Sequence, residues 1–300
     1  MKKITTAIFP VAGLGTRFLP VTKASPKEML PIVDKPIIQY AVEEAIGAGI
    51  THLVFVTSSS KHAIEDYFDS NYELEMRLQS RGEFNALKLV QNILPKEVSV
   101  SYVRQSHPLG LGDAVLSARH VVGDQHFAVL LPDDIIDCRE KSCLQLMTSI
   151  YEKYHANVIA VEHVAAKEVD KYGIVSVRED QGVKRITGMI EKPPIGSASS
   201  DLAVTGRYIL SPGIFKYLDM IEHGIGGEIQ LTDAIVKLMQ EELVIAYPFE
   251  GRRYDCGSRL GFLQATIAYA LERNEFKEPL RTYLSELLTA VCIDVSMTNL

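Results

Sequence analysis

Residues 4–31 read ITTAIFPVAGLGTRFLPVTKASPKEMLP, and the reading of this stretch decides the fold. Residues 4–11 are a short apolar run rich in β-formers, which predicts a buried first strand. A loop with two glycines, Gly13 and Gly15, follows directly. Glycines after a buried strand let the backbone approach an anion and turn N–H groups toward it. A dinucleotide fingerprint needs a third glycine and an immediate helix, whereas Thr16, Arg17, Phe18, Leu19 and Pro20 follow here. No Gly-Lys-Ser/Thr closes the turn, so a Walker loop is excluded too. Taken alone, the two-glycine element reads equally well as a tight turn. Arg17, Lys23 and Lys27 then put three cations on one long non-helical loop, and loops of that length in a compact domain are usually functional.

The pattern continues outward from this loop. Pro36 opens a helix with Ile38, Ala41, Val42, Ala45 and Ile46 on one face, Glu43 and Glu44 on the other, and Gly47 and Gly49 at its end. Residues 52–57 (HLVFVT) predict a second strand, and Ser60 is placed as the cap of a helix with Asp66 and Asp69 outward. Residues 98–103 and 127–131 read as strands around a helix over 111–121. Strands separated by helices imply right-handed crossovers. The expectation is an α/β fold with a mixed, mainly parallel central sheet flanked by helices, and ligands beyond the carboxyl ends of its strands.

Past residue 155 the connections shorten. Residues 158–163, 174–177, 183–191 and 202–210 read as strands, 193–200 (PPIGSASS) as a surface loop, and 213–222, 231–241 and 258–273 as helices. One domain over 1–300 is expected, with halves at about 1–140 and 155–260 and a helical segment at about 275–290. In that segment Phe276, Leu280, Tyr283, Leu284, Leu287 and Leu288 recur at helical spacing, a stripe for core or subunit contact.

Composition narrows the function. The chain is 47% hydrophobic with a net charge of −7, which offers no basic surface for nucleic acid or an anionic membrane. Cys138, Cys143, Cys256 and Cys292 show no metal spacing and read as free thiols in a reducing cytosol. Met1, Lys2 and Lys3 before an apolar stretch imitate a secretory leader, but Thr5, Thr6 and Pro10 interrupt it. No run reaches the ~20 apolar residues of a membrane span, so a cytoplasmic protein is expected.

Further segments carry chemistry-bearing residues. Gln105 in QSHPLGLGDA (residues 105–114) has an amide with one donor and one acceptor side, and Gly110 and Gly112 permit close backbone approach at a helix start. Without context Gln105 is an ordinary solvated loop residue, and His107, followed by proline, receives no catalytic role. LLPDDI (residues 130–135) ends a strand on two carboxylates, which suits Mg²⁺ held by one or two carboxylates plus substrate phosphates. Acidic turns of the same kind are common.

The stretch GLGTRFLPVTKASPKEMLPIVDKP (residues 13–36) resembles the signature of the nucleotidyltransferase-type sugar-phosphate pyrophosphorylases, in the uridylyltransferase wording. The likeness runs from about residue 4 to about residue 288. It implies the fold of the nucleotide-diphospho-sugar transferases, with Ala12, Gly13 and Gly15 wrapping the nucleotide. Arg17 and Lys27 would meet the triphosphate, Glu28 would help position the nucleoside, and Gln105 and Gly110 would read the base. Asp133, rather than Asp134, would ligate Mg²⁺ with Asp255 of RYDCG (residues 253–257). Gly173 in YGI, Glu191 and Lys192 in EKP, and Val204 in AVTG would form the sugar-phosphate end. Thr232 and Asp233 in GEIQLTD would serve a helix start. Cys256 is expected to pack.

The resemblance implies attack of the glucose 1-phosphate oxygen on the α-phosphorus of UTP, giving UDP-glucose and pyrophosphate without a covalent enzyme intermediate. It also implies a homodimer or homotetramer. Two alternatives stay open: another nucleoside triphosphate in the same site, and a non-catalytic paralogue that binds nucleotide sugar. The latter would be expected to lack a loop cation or a metal carboxylate. A nicotinamide-dependent oxidoreductase fails on the missing third glycine.

Overall fold

The computed structural model describes residues 3–138, 140–221, 224 and 227–297. Met1 and Lys2 of the leader-like start, Glu222 at an expected helix end and the side chain of Cys292 lie outside that set. In chain order the strands are β1 (Thr6–Pro10), β2 (Pro31–Ile32), β3 (Lys35–Pro36), β4 (His52–Thr57), β5 (Ser99–Arg104), β6 (Phe127–Leu130) and β7 (Asp134–Asp137). They continue as β8 (Asn157–His163), β9 (Gly173–Asp180), β10 (Val183–Glu191), β11 (Leu202–Leu210), β12 (Val244–Pro248) and β13 (Arg252–Asp255).

Nine of these form one mixed sheet in the order β5-β4-β1-β6-β11-β8-β12-β10-β9. β5, β4, β1 and β6 run parallel, as the crossovers predict. β11 is antiparallel to both β6 and β8, and β9 and β10 form an antiparallel hairpin. Only β12 beside β8 is parallel in that second half. The shorter connections after residue 155 have this cause: antiparallel neighbours need no helical crossover.

Side chains alternate across the sheet and build a core on each face. Ile8, Val54, Val56 and Val129 pack on one side, with Leu231 and Ile235 of the helix Leu231–Leu238. Ala7, Phe9, Phe55 and Leu130 pack on the other, against the helices Ile37–Gly47 and Cys143–Tyr154. Because β4, β1 and β6 are parallel, the segments after them open on one edge. That edge carries Ala12 and Gly13, Lys61, and Asp133, and Gln105 joins it after β5.

Several local expectations change. Ser60 caps nothing: the cap position of the helix His62–Phe68 is Lys61, with no side-chain cap bond. Glu44 is not a solvent-facing partner of Glu43 but bonds the fully buried Arg207 at 2.8 Å. The helix expected over 111–121 is two, Leu111–Ser117 and Arg119–Val122. The helix Leu231–Leu238 is capped by no side chain, its cap position being Gln230, so Thr232 and Asp233 lie in its first turn. In the helix Asn274–Met297, Phe276, Tyr283, Leu287 and Leu288 are exposed, which removes the core reading of that stripe within one chain.

Candidate active site

The long loop after β1 is not shapeless: it is three 3₁₀ turns, Thr16–Phe18, Val21–Lys23 and Lys27–Met29. Gly15 sits at φ 65°, and Thr22 Oγ1 donates to its carbonyl at 2.8 Å. The loop thereby folds back on itself and returns Lys27 to the glycines. Gly13 faces open space, while Ala12 is buried at the strand end.

Lys27 Nζ reaches Asp133 Oδ2 at 2.5 Å. Burial alone would lower the Lys27 ammonium, but the charges of Asp133 and Glu28 outweigh it and hold it above its ordinary value. Burial would likewise raise the Asp133 carboxyl, yet Lys27 holds it below the usual carboxylate range. Asp255 arrives from the β7–β13 ribbon, where it pairs with Asp134, and the Cys256 N–H donates to Asp133 O at 2.7 Å. A Cβ on Gly257 would stand 2.9 Å from Asp133 Oδ2, 3.0 Å from Asp255 Oδ1 and 3.6 Å from Arg17 Nη1. Arg17, Lys27, Asp133 and Asp255 therefore converge at one point, and only the missing side chain of Gly257 keeps it open. Two carboxylates with room between them fit a divalent cation that completes its shell with phosphate and water.

Asp134 belongs to the framework. Its Oδ2 accepts from Gly206 N at 2.9 Å and its Oδ1 from Arg253 Nε at 2.8 Å. Arg253 also bonds Glu162 at 2.7 Å and lies over the Tyr172 ring, tying Asp134 to β8 and to the segment before β9. Burial pushes the Cys256 thiol up, which fits packing and not nucleophilic chemistry.

The base loop is built differently from its sequence reading. Gln105 is buried, and its Nε2 donates to Gly110 O at 3.1 Å and Asp113 Oδ2 at 2.7 Å. The atom left for a base on that amide is the carbonyl Oε1. Gly112 is glycine because a Cβ would meet Ile229 O at 2.6 Å, so its close approach is to protein rather than ligand.

The residues expected at the sugar end also converge. A Cβ on Gly173 would meet Glu191 Oε2 at 3.2 Å, Val204 Cγ2 at 3.8 Å and Thr232 Cγ2 at 3.1 Å. Lys192 holds a left-handed φ of 44°, a strained conformation for a non-glycine residue, and its Nζ is 3.4 Å from Glu191 Oε1. Glu28 is buried and bonded to Lys61 Nζ at 2.9 Å.

Sequence reasoning missed Lys61, Arg253 and Thr232 as neighbours of the site. Arg253 stands inside the quoted RYDCG motif and Lys61 lies in the short segment after β4, so position was the available signal. Nothing in residue type marks a lysine for burial.

This arrangement defines a phosphate-handling α/β enzyme site, and the chain belongs to the nucleotidyl transferase family, whose model matches residues 7–272. It is 48% identical over 289 residues to the UTP–glucose-1-phosphate uridylyltransferase of Bacillus subtilis (strain 168), covering 96% of this chain and 98% of the relative. A UTP-bound UGPase from Acinetobacter baumannii superimposes with a TM-score of 0.87 at 46% identity, over 95% of this chain and 99% of that one. A UDP-glucose pyrophosphorylase complexed with UDP-glucose gives 0.82 at 47% identity, over 90% and 100%.

Proposed function

We infer that this chain transfers a uridylyl group from UTP to glucose 1-phosphate, releasing pyrophosphate and forming UDP-glucose. The convergence of Arg17, Lys27, Asp133 and Asp255 on the space beside Gly257 carries this reading. Uracil sits at Ala12 and Gly13 and donates its N3–H to Gln105 Oε1. The triphosphate follows the loop with Gly15 to Arg17 and Lys27, which neutralise the leaving pyrophosphate. Glucose hydroxyls bond Glu191 and the backbone at Gly173 and Val204, while Lys192 orients the phosphate that attacks.

Both reactants are anions, so the work of the site is holding them in line and cancelling their repulsion. The attacking phosphate oxygen is already ionised near neutral pH, and no general base is required. Asp133 and Asp255 would hold Mg²⁺, which when bound supplies charge neutralisation and polarisation of the phosphates.

No helix among the described residues is long and apolar enough to cross a membrane, and we place the enzyme in the cytoplasm. The exposed stripe Phe276, Tyr283, Leu287 and Leu288, with Leu260 and Leu263 on the preceding helix, supports assembly as a homodimer or homotetramer.

The reverse reaction tests the assignment. UDP-glucose and pyrophosphate with Mg²⁺ should yield UTP and glucose 1-phosphate. Absence of UTP while UDP-glucose still binds would favour a non-catalytic nucleotide-sugar binder.

A further inference from the structure

Lys61 is 4% exposed and Glu28 is 1% exposed, and their side chains meet at 2.9 Å. Removing two ions from water costs several kcal/mol for each, and a well-packed apolar pair is often at least as stable. Stability alone is therefore a weak reason for a lysine at this place. Its geometry supplies another. Glu28 lies in the 3₁₀ turn Lys27–Met29, for which two backbone bonds bracket the turn, Met29 N to Pro26 O at 2.9 Å and Leu30 N to Lys27 O at 3.1 Å. Neighbouring Lys23 and Ala24 are exposed. Lys27 and Glu28 are adjacent in the chain yet bond different partners, Lys27 the half-buried Asp133 and Glu28 the buried Lys61.

We propose that Lys61 is a positioning residue for the nucleotide: by gripping Glu28 it sets the rotation of the Lys27–Met29 turn and so aims Lys27 at the triphosphate. Lys61 sits in the segment after β4, whose backbone is anchored by Lys61 N to Ser58 O at 3.2 Å and by Ile64 N to Lys61 O at 3.0 Å. The tether thus runs from the hydrogen-bonded turn between β4 and the helix His62–Phe68 to the loop. It also cancels the Glu28 charge, which would otherwise oppose a triphosphate beside Lys27. Burial holds the Glu28 carboxyl above its ordinary value although Lys61 and then Lys27 pull it down. The assignment rests on the uridylyltransferase reading of the site.

The test compares Lys61→Met, Lys61→Gln and Lys61→Arg with the unaltered full chain, reading kcat, KM for each substrate and thermal melting. Lys61→Met should raise KM for UTP about tenfold or more, as displacement of a phosphate-binding group does, and leave KM for glucose 1-phosphate within about twofold. Lys61→Arg, which keeps a cation, should recover most of the loss. Should Lys61→Met fail to fold, Lys61→Gln, which removes the cation but keeps a donor, carries the comparison, with a smaller but still selective rise in KM for UTP. Unchanged KM for UTP, or equal losses for both substrates that track melting temperature, would overturn the proposal. If the unaltered chain does not turn UTP over, the functional reading fails. Calorimetric titration with UTP then decides the Lys61 assignment alone: weaker binding in Lys61→Met upholds it and equal binding rejects it.

Discussion

Lys27 Nζ and Asp133 Oδ2, 106 residues apart in sequence, stand 2.5 Å apart at the centre of the site. On the function proposed above, a triphosphate entering the loop would compete with Asp133 for this ammonium, and Lys27 would pass from the carboxylate to the phosphate. Lys27→Met should therefore lower kcat/KM for UTP about 100-fold, and a steady-state comparison with the unaltered enzyme checks it.

Arg17 is exposed, and its guanidinium Nη1 donates to Gly257 O at 3.5 Å, the limit of a hydrogen bond. A donor so loosely held is free to meet phosphate oxygens as charge develops on the leaving group. Arg17→Ala should cost about 3 kcal/mol of transition-state stabilisation, measured as kcat/KM. Near-normal kcat/KM would remove Arg17 from the catalytic set.

Gly257→Ala puts a methyl group between Asp133 Oδ2 and Asp255 Oδ1, at 2.9 and 3.0 Å. Its neighbours there are side-chain ends, so the fold should survive while the space between the carboxylates closes. Titration of activity with Mg²⁺ should show a raised requirement at an unchanged circular dichroism spectrum. Asp133→Asn should lose activity and Mg²⁺ dependence together.

Arg253→Met leaves Asp134 and Glu162 without their cation in a region where Arg253 is 8% and Asp134 9% exposed at the side chain. Breaking a buried pair from one side costs about 3–5 kcal/mol, and urea denaturation should show a loss of that size. Stability within a few tenths of a kcal/mol of the parent would show that the pair is not a structural tie.

Glu191, beside Gly173 and Lys192, is the acceptor proposed for the sugar hydroxyls. Glu191→Gln should raise KM for glucose 1-phosphate about tenfold, since hydrogen bonds to a charged acceptor are the stronger kind. KM for UTP should stay within about twofold, and a matching rise would place Glu191 outside the sugar pocket.

Parts of this architecture were legible because the physics is local. β1 and β4 are buried runs bounded by turn residues, and the loop after β1 declares itself by its glycines and three cations. The helices Tyr72–Ser80 and Phe84–Gln91 were not legible: neither buries a residue fully, so neither needs a clear apolar stripe. The helix Cys143–Tyr154 did carry a signal, a capping box of Ser142 and Gln145 before buried Leu144, Met147 and Tyr151.

At the site, residue types offered both Asp133 and Asp134, and only the resemblance chose Asp133 and joined it to Asp255; their meeting beside Gly257 depends on the β7–β13 pairing, which no spacing encodes. Burial of Lys61 and Glu44 was hidden for a similar reason. A charged side chain reads as solvated until the fold delivers its partner.

Pyrophosphate release from glucose 1-phosphate with Mg²⁺, run in parallel with UTP, dTTP, ATP and CTP, tests the central claim most directly. Release with UTP well above the other three is the predicted result. A preference for another nucleotide, or no release with any of the four, would contradict it.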